Sequence, residues 1–143
     1  MDCFKKQEGV TTMKKSTLLN SDLSRVISQM GHTQTLTIGD AGLPVPKGVE
    51  RIDLAVVKGL PGFLDVLDAV LTELHVEKII LAEEIKTVNP EMEADVLKRF
   101  PGIAVEYVPH ETFKVCTKSS EAIVRTGETK AYSNVILQSG VTF

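Results

Sequence analysis

Ile52-Asp53-Leu54-Ala55-Val56-Val57, then Pro61-Gly62-Phe63-Leu64-Asp65-Val66-Leu67-Asp68-Ala69-Val70-Leu71, then Val76-Glu77-Lys78-Ile79-Ile80-Leu81-Ala82 make up the stretch that decides the fold. Its first piece is rich in β-branched residues and reads as a strand. Pro61 opens a helix on which Phe63, Leu64, Leu67, Val70, Leu71 and Leu74 form one apolar face. The third piece is apolar throughout except for Glu77 and Lys78, as expected of a strand covered on both sides. Strands alternating with helices indicate a layered α/β domain, parallel at least in its middle.

The same alternation continues in both directions. Leu23, Val26, Ile27 and Met30 recur at helical spacing over Ser21–Met30. Asn20 or Ser21 caps that helix, and Gly31 is expected to end it in the left-handed conformation. Thr35-Leu36-Thr37-Ile38 reads as a strand that stops at Gly39-Asp40-Ala41-Gly42, ahead of Pro44 and Pro46. Downstream, Asn89-Pro90 has the form of an N-cap followed by proline at the first helical position. Met92, Val96 and Leu97 face inward, and Pro101-Gly102 ends that helix. Strands follow at Ile103–Val108, at Ala122-Ile123-Val124-Arg125 and at Asn134-Val135-Ile136-Leu137, with a short helix or turn over His110–Thr117. The expectation is one α/β domain, with a mostly parallel or mixed central sheet flanked by helices and mixed pairing among the closing strands.

Composition sets outer limits. A chain of 143 residues with 43% hydrophobic content suits a single domain with its own core. The net charge of −3 is small and the 16 Lys and Arg are scattered, with no basic stripe for nucleic acid. No apolar run is long enough to cross a bilayer. Cys3 and Cys116 form no CxxC pair, in keeping with a reducing compartment and a cytoplasmic location. Residues 1–12 read as a disordered extension or an over-long start, and Met13 as the start of the domain 13–143.

Four groups carry candidate chemistry, each at a junction between an element and a loop. His32 follows the first helix, where it is either an acid–base group or simply a cation favoured by the helix C-terminus. Asp40 ends a strand at the sheet edge where ligands bind in α/β proteins, or else caps its own turn with Gly42. His110 ends another strand, or merely begins a helix. Tyr132-Ser133-Asn134 offers a phenol, a hydroxyl and a carboxamide, or a plain turn. His75 reads as structural. Glu83-Glu84 and Lys86 read as helix-start and loop charges, with Glu84 and Lys86 as outlying candidates, because adjacent carboxylates rarely flank a glycoside. Metal, nucleotide and serine-nucleophile motifs are missing from the sequence.

Six segments together resemble the D-ribose pyranase family of sugar mutarotases. They are Leu19-Asn20-Ser21-Asp22-Leu23, Met30-Gly31-His32-Thr33, Gly39 to Pro46, Ala82-Glu83-Glu84-Ile85-Lys86, Val124-Arg125-Thr126-Gly127-Glu128 and the tail from Ala131 to Phe143. The resemblance runs from Met13 to Phe143 and is closer to the ribose branch than to the related fucose mutarotases. It implies cofactor-independent interconversion of pyranose and furanose ribose, with His32 as proton donor. It further implies sugar contacts at Asp40, His110, Tyr132 and Asn134, with Ser133 in the same segment, and no metal. Ring-shaped homo-oligomers, often decamers, with sites near subunit boundaries are implied too, as is a functional link to a ribose transporter and ribokinase. The rival readings are a non-catalytic sugar-binding or regulatory partner of such a transporter, a mutarotase for another sugar such as fucose, and a metal-dependent hydrolase.

Overall fold

A computed structural model describes residues 13–143, so the boundary expected at residues 1–12 lies outside the described residues. Six strands form one sheet in the order β2-β5-β1-β6-β3-β4. They are β1 (Thr35–Gly39), β2 (Glu50–Asp53), β3 (Val76–Ala82), β4 (Ala104–Val108), β5 (Ser120–Arg125) and β6 (Val135–Ser139). The pairs β1·β5, β2·β5 and β3·β4 are parallel. Only β6 runs against its neighbours, lying between β1 and β3 and antiparallel to both. The sheet is therefore mixed, as anticipated, but its middle, expected to be parallel, is where the single antiparallel strand β6 lies, because β6 enters between β1 and β3 from the edge at which they end.

The helices are α1 (Ser21–Gln29), α2 (Phe63–Leu71), α3 (Ile85–Val88), α4 (Pro90–Leu97) and α5 (His110–Cys116). Side chains alternate across the sheet, and this alternation builds two separate cores. Leu36, Ile38, Ile79, Leu81, Val124, Val135 and Leu137 face Leu23 and Val26 of α1, Phe63, Leu67 and Val70 of α2, and Met92 and Val96 of α4. Ile123 and Ile136 face the opposite way with Ala82 and Leu43, and pack against Phe113 of α5. Thr37 also points to that second side, fully buried, where its hydroxyl pairs with Ser120 at 2.6 Å.

The caps read from sequence at Asn20 and Asn89 are present. Asn20 Oδ1 accepts the Leu23 N–H at 2.9 Å, and Asn89 Oδ1 accepts that of Met92 at 3.3 Å. Three further expectations need correction. The strand placed at Ile52–Val57 is Glu50–Asp53, because its partner β5 ends at Arg125; Val56 and Val57 lie beyond it, exposed in a turn closed on Leu60. Pro61 precedes α2, whose cap is Gly62, and the regular helix stops at Leu71, short of Leu74. Finally, α1 ends on an extended Met30, and the left-handed residue is Thr33 (φ 73°) instead of Gly31.

The turn after β2 is held by backbone bonds to the segment following β5, where Gly59 N–H donates to Gly127 O and Gly127 N–H to Pro61 O. A Cβ on Gly127 would lie 2.5 Å from Leu60 O and 2.6 Å from Val57 O, both backbone atoms that cannot swing aside. Gly127→Ala should therefore destabilise the fold by about 1–3 kcal/mol in chemical denaturation, with the loss carried by displacement of the turn at 54–61. An unchanged midpoint would show that the turn yields freely.

Candidate functional site

Parallel strands β1 and β3 both end at one edge of the sheet, and antiparallel β6 begins there. The chain segments that leave or enter at this edge, Asp40–Leu43, the start of α5 and Ala131–Asn134, surround a cavity of about 250 Å³. Asp40, Gly42, Leu43, His110, Ala131, Tyr132 and Asn134 line it. Drug-sized ligands occupy roughly 300–1,000 Å³, so this space is scaled for something smaller.

Asn134 is buried, and its Oδ1 accepts the Asp40 N–H at 2.9 Å. That bond fixes the carboxamide so that its NH₂ is the end left for other partners. It depends on Gly39, where a Cβ would stand 2.6 Å from Leu43 Cδ2 and 3.1 Å from Asn134 Oδ1. Asp40 Oδ1 accepts the Gly42 N–H at 3.0 Å, so the Asx-turn weighed for this residue is real and coexists with its place in the cavity. Burial pushes the Asp40 carboxyl above its usual range, opposed by hydrogen bonds from Gly42, Asn134 and Leu43 and by the nearby His110.

His110 begins α5, whose Phe113 is fully buried beneath the sheet. Both carboxylate oxygens of Glu84 accept the His110 backbone N–H, at 3.0 and 3.1 Å, supplying the cap that Pro109 lacks. The imidazole meets the Tyr132 ring edge-on, with centroids 5.2 Å apart. Its Nδ1 is buried with no hydrogen-bond partner among the described residues.

Tyr132 has φ 57°, a conformation that costs a bulky residue strain and that concentrates at functional sites. The loop is held in place by Asn89, whose Nδ2 donates to Ala131 O at 2.9 Å, and by Ser133, whose Oγ donates to Lys130 O at 2.9 Å. Ser133 is fully buried and its side chain supports the loop beneath the cavity.

Four of the six anticipated residues therefore share one cavity, and Ser133 underlies it. His32 does not join them within the chain. It precedes the opposite end of β1, and five strand residues separate the two edges by roughly 15–20 Å. There its Nε2 lies 2.9 Å from Glu77 on β3, and Gln138 of β6 donates to the other Glu77 oxygen at 2.8 Å. Sequence reasoning named neither Glu77 nor Gln138 as functional. The one signal available was a carboxylate interrupting an otherwise apolar strand. Lys86, the other outlying candidate, lies over the Tyr107 ring at 3.8 Å. Among the described residues no group of three or more His, Cys, Asp or Glu side chains is arranged to hold a metal, and no helix is long and apolar enough to cross a membrane.

The raised Asp40 pKa has a stability consequence with a definite sign. A carboxyl that binds its proton more tightly when folded stabilises the fold below the ordinary carboxylate pKa, and this contribution is lost as pH rises through the folded value. Asp40→Asn should therefore melt at or above the wild-type temperature at pH 7. The difference should shrink toward zero on acidification into the ordinary carboxylate range. A variant less stable than wild type at pH 7 would contradict this.

The comparisons with known proteins agree with this fold. The model of the RbsD / FucU transport protein family matches residues 13–142. A D-ribose pyranase from Geobacillus kaustophilus is 52% identical over 92% of this chain and 96% of its own length. One from Lactobacillus gasseri is 54% identical over 92% of this chain and the whole of its own. The solved structure of Bacillus subtilis RbsD complexed with D-ribose superimposes with a TM-score of 0.89 at 46% identity, covering 92% of this chain and 100% of that one. With its fold and nearly all of its described length matched, this chain belongs to the RbsD / FucU family.

Proposed function

We propose that this chain is a D-ribose pyranase, an isomerase that interconverts the pyranose and furanose forms of ribose without a cofactor. The observation that carries the reading is the edge cavity, in which a carboxylate, a carboxamide, a phenol and an imidazole converge on a space suited to a monosaccharide. The 46% identity to a chain solved with D-ribose supports ribose as the sugar. Opening a cyclic hemiacetal needs a proton delivered to the ring oxygen and another removed from the anomeric hydroxyl. Closure at a different hydroxyl repeats the exchange. Acid–base groups suffice for this, contributing typically ~10²–10⁴-fold.

In this reading Asp40 accepts from sugar hydroxyls, and the Asn134 NH₂ and the His110 imidazole donate to them. Tyr132 reads one hydroxyl in either sense. His32 is the proton donor to the ring oxygen. Because it stands at the opposite sheet edge from the cavity, we infer that it acts in the cavity of a neighbouring copy. A ring-shaped homo-oligomer, decameric as the family resemblance implies, satisfies that requirement. A cytoplasmic role in ribose uptake and catabolism, alongside a transporter and ribokinase, belongs to the same proposal.

The test is pyranose–furanose exchange followed by NMR, with ribose and fucose in parallel. Wild-type protein should accelerate exchange of ribose more than of fucose, and His32→Ala should lose about 10²-fold or more with its fold intact. Faster exchange of fucose would assign the chain to another sugar. Ribose binding with unchanged exchange would make it a sugar-binding partner of a transporter.

A further inference from the structure

The His32 end of the sheet is built with more care than a surface loop needs. Thr33 is β-branched yet sits at φ 73°, a strained conformation. It is kept there by Ser139 of β6, whose backbone carbonyl accepts the Thr33 N–H at 3.0 Å and whose hydroxyl donates to Gly31 O. The backbone on both sides of His32 is thus tied to one residue. The imidazole is fixed separately by Glu77, and Glu77 in turn by Gln138.

We propose that Glu77 is a positioning residue for the isomerase reaction: it holds Nε2–H of His32, so that Nδ1 is the nitrogen that exchanges protons with the sugar. This inference rests on the pyranase reading above. Hydrogen bonds from Gln138 and then from His32 hold Glu77 below the usual carboxylate range, so it meets the imidazole as an ionised acceptor. Among the described residues the only other titratable group that acts on Glu77 is His75; the adjacent Lys78 pairs instead with Glu106 at 2.6 Å. In the step itself, a proton passes from Nδ1 to the ring oxygen as the bond from that oxygen to the anomeric carbon breaks. The anomeric hydroxyl becomes a carbonyl and yields its proton to water. On closure, the attacking hydroxyl returns a proton to Nδ1 while the carbonyl oxygen takes one from water. Glu77 keeps the Nε2 proton throughout, as the carboxylate partner of a catalytic imidazole does.

The test combines spectroscopy with kinetics. Only three histidines are present, so long-range ¹H–¹⁵N spectra can resolve His32, and the neutral ring should be the Nε2–H tautomer in wild type. Glu77→Ala should shift that ring toward Nδ1–H. It should slow ribose exchange by roughly 10–100-fold while ribose affinity changes by less than about 2-fold. Glu77→Gln keeps an acceptor oxygen without the charge, and should fall between the two. Wild-type exchange in Glu77→Ala, or an unchanged tautomer there, would overturn the proposal. A tautomer shift in a protein whose wild type does not exchange ribose would instead overturn the pyranase reading, and with it any catalytic role for Glu77.

Discussion

The placement of β6 controls everything else in this molecule. One antiparallel strand inserted between β1 and β3 starts at the edge where its neighbours end and finishes where they begin. Asn134 precedes its first residue and receives the Asp40 N–H. Gln138 and Ser139 close it, and hold Glu77 and the two residues flanking His32. Both chemically equipped ends of the sheet are thus organised by the same short strand. With Val135, Ile136 and Leu137 fully or almost fully buried, its register resists slippage, since a shift by one residue would reverse its two faces.

Strain and buried charge are distributed in the same way. Tyr132 and Thr33 take left-handed conformations at opposite edges, and Asp40 keeps its carboxyl in partly desolvated surroundings. Each costs stability, and each is held by fixed hydrogen bonds from neighbours. Asn89 and Ser133 restrain the Tyr132 loop, Ser139 restrains Thr33, and Asn134 with Gly42 restrains Asp40. A site for a small polyhydroxyl molecule needs this rigidity, because hydroxyl patterns are distinguished by donors and acceptors that do not reorient.

Much of this was legible in the sequence, for definable reasons. Apolar runs such as Val76–Ala82 and the periodic face of α2 announce their partners through burial, and the caps at Asn20 and Asn89 announce helix starts. The end of β2 did not show, because Val56 and Val57 have strand character and only the length of β5 denies them a partner. Thr33 escaped notice because a β-branched residue is the least expected occupant of that conformation, and Gly31 beside it was the natural choice. Asp40, His110, Tyr132 and Asn134 were readable as chemistry at element ends. Which sheet edge each occupies depends on strand direction, and for His32 that separates it from the rest. Glu77 was visible only as an interruption.

In the proposed enzyme the acid from one copy serves the cavity of another. Mixing His32→Ala protein with Asn134→Ala protein, after dissociation and reassembly, tests it directly through ribose exchange by NMR. Each variant alone should be nearly inactive. Random reassembly should restore about a quarter of wild-type activity, since half of the sites take His32 from an intact donor and half of those have an intact cavity. No recovery in mixed, correctly reassembled protein would contradict the account.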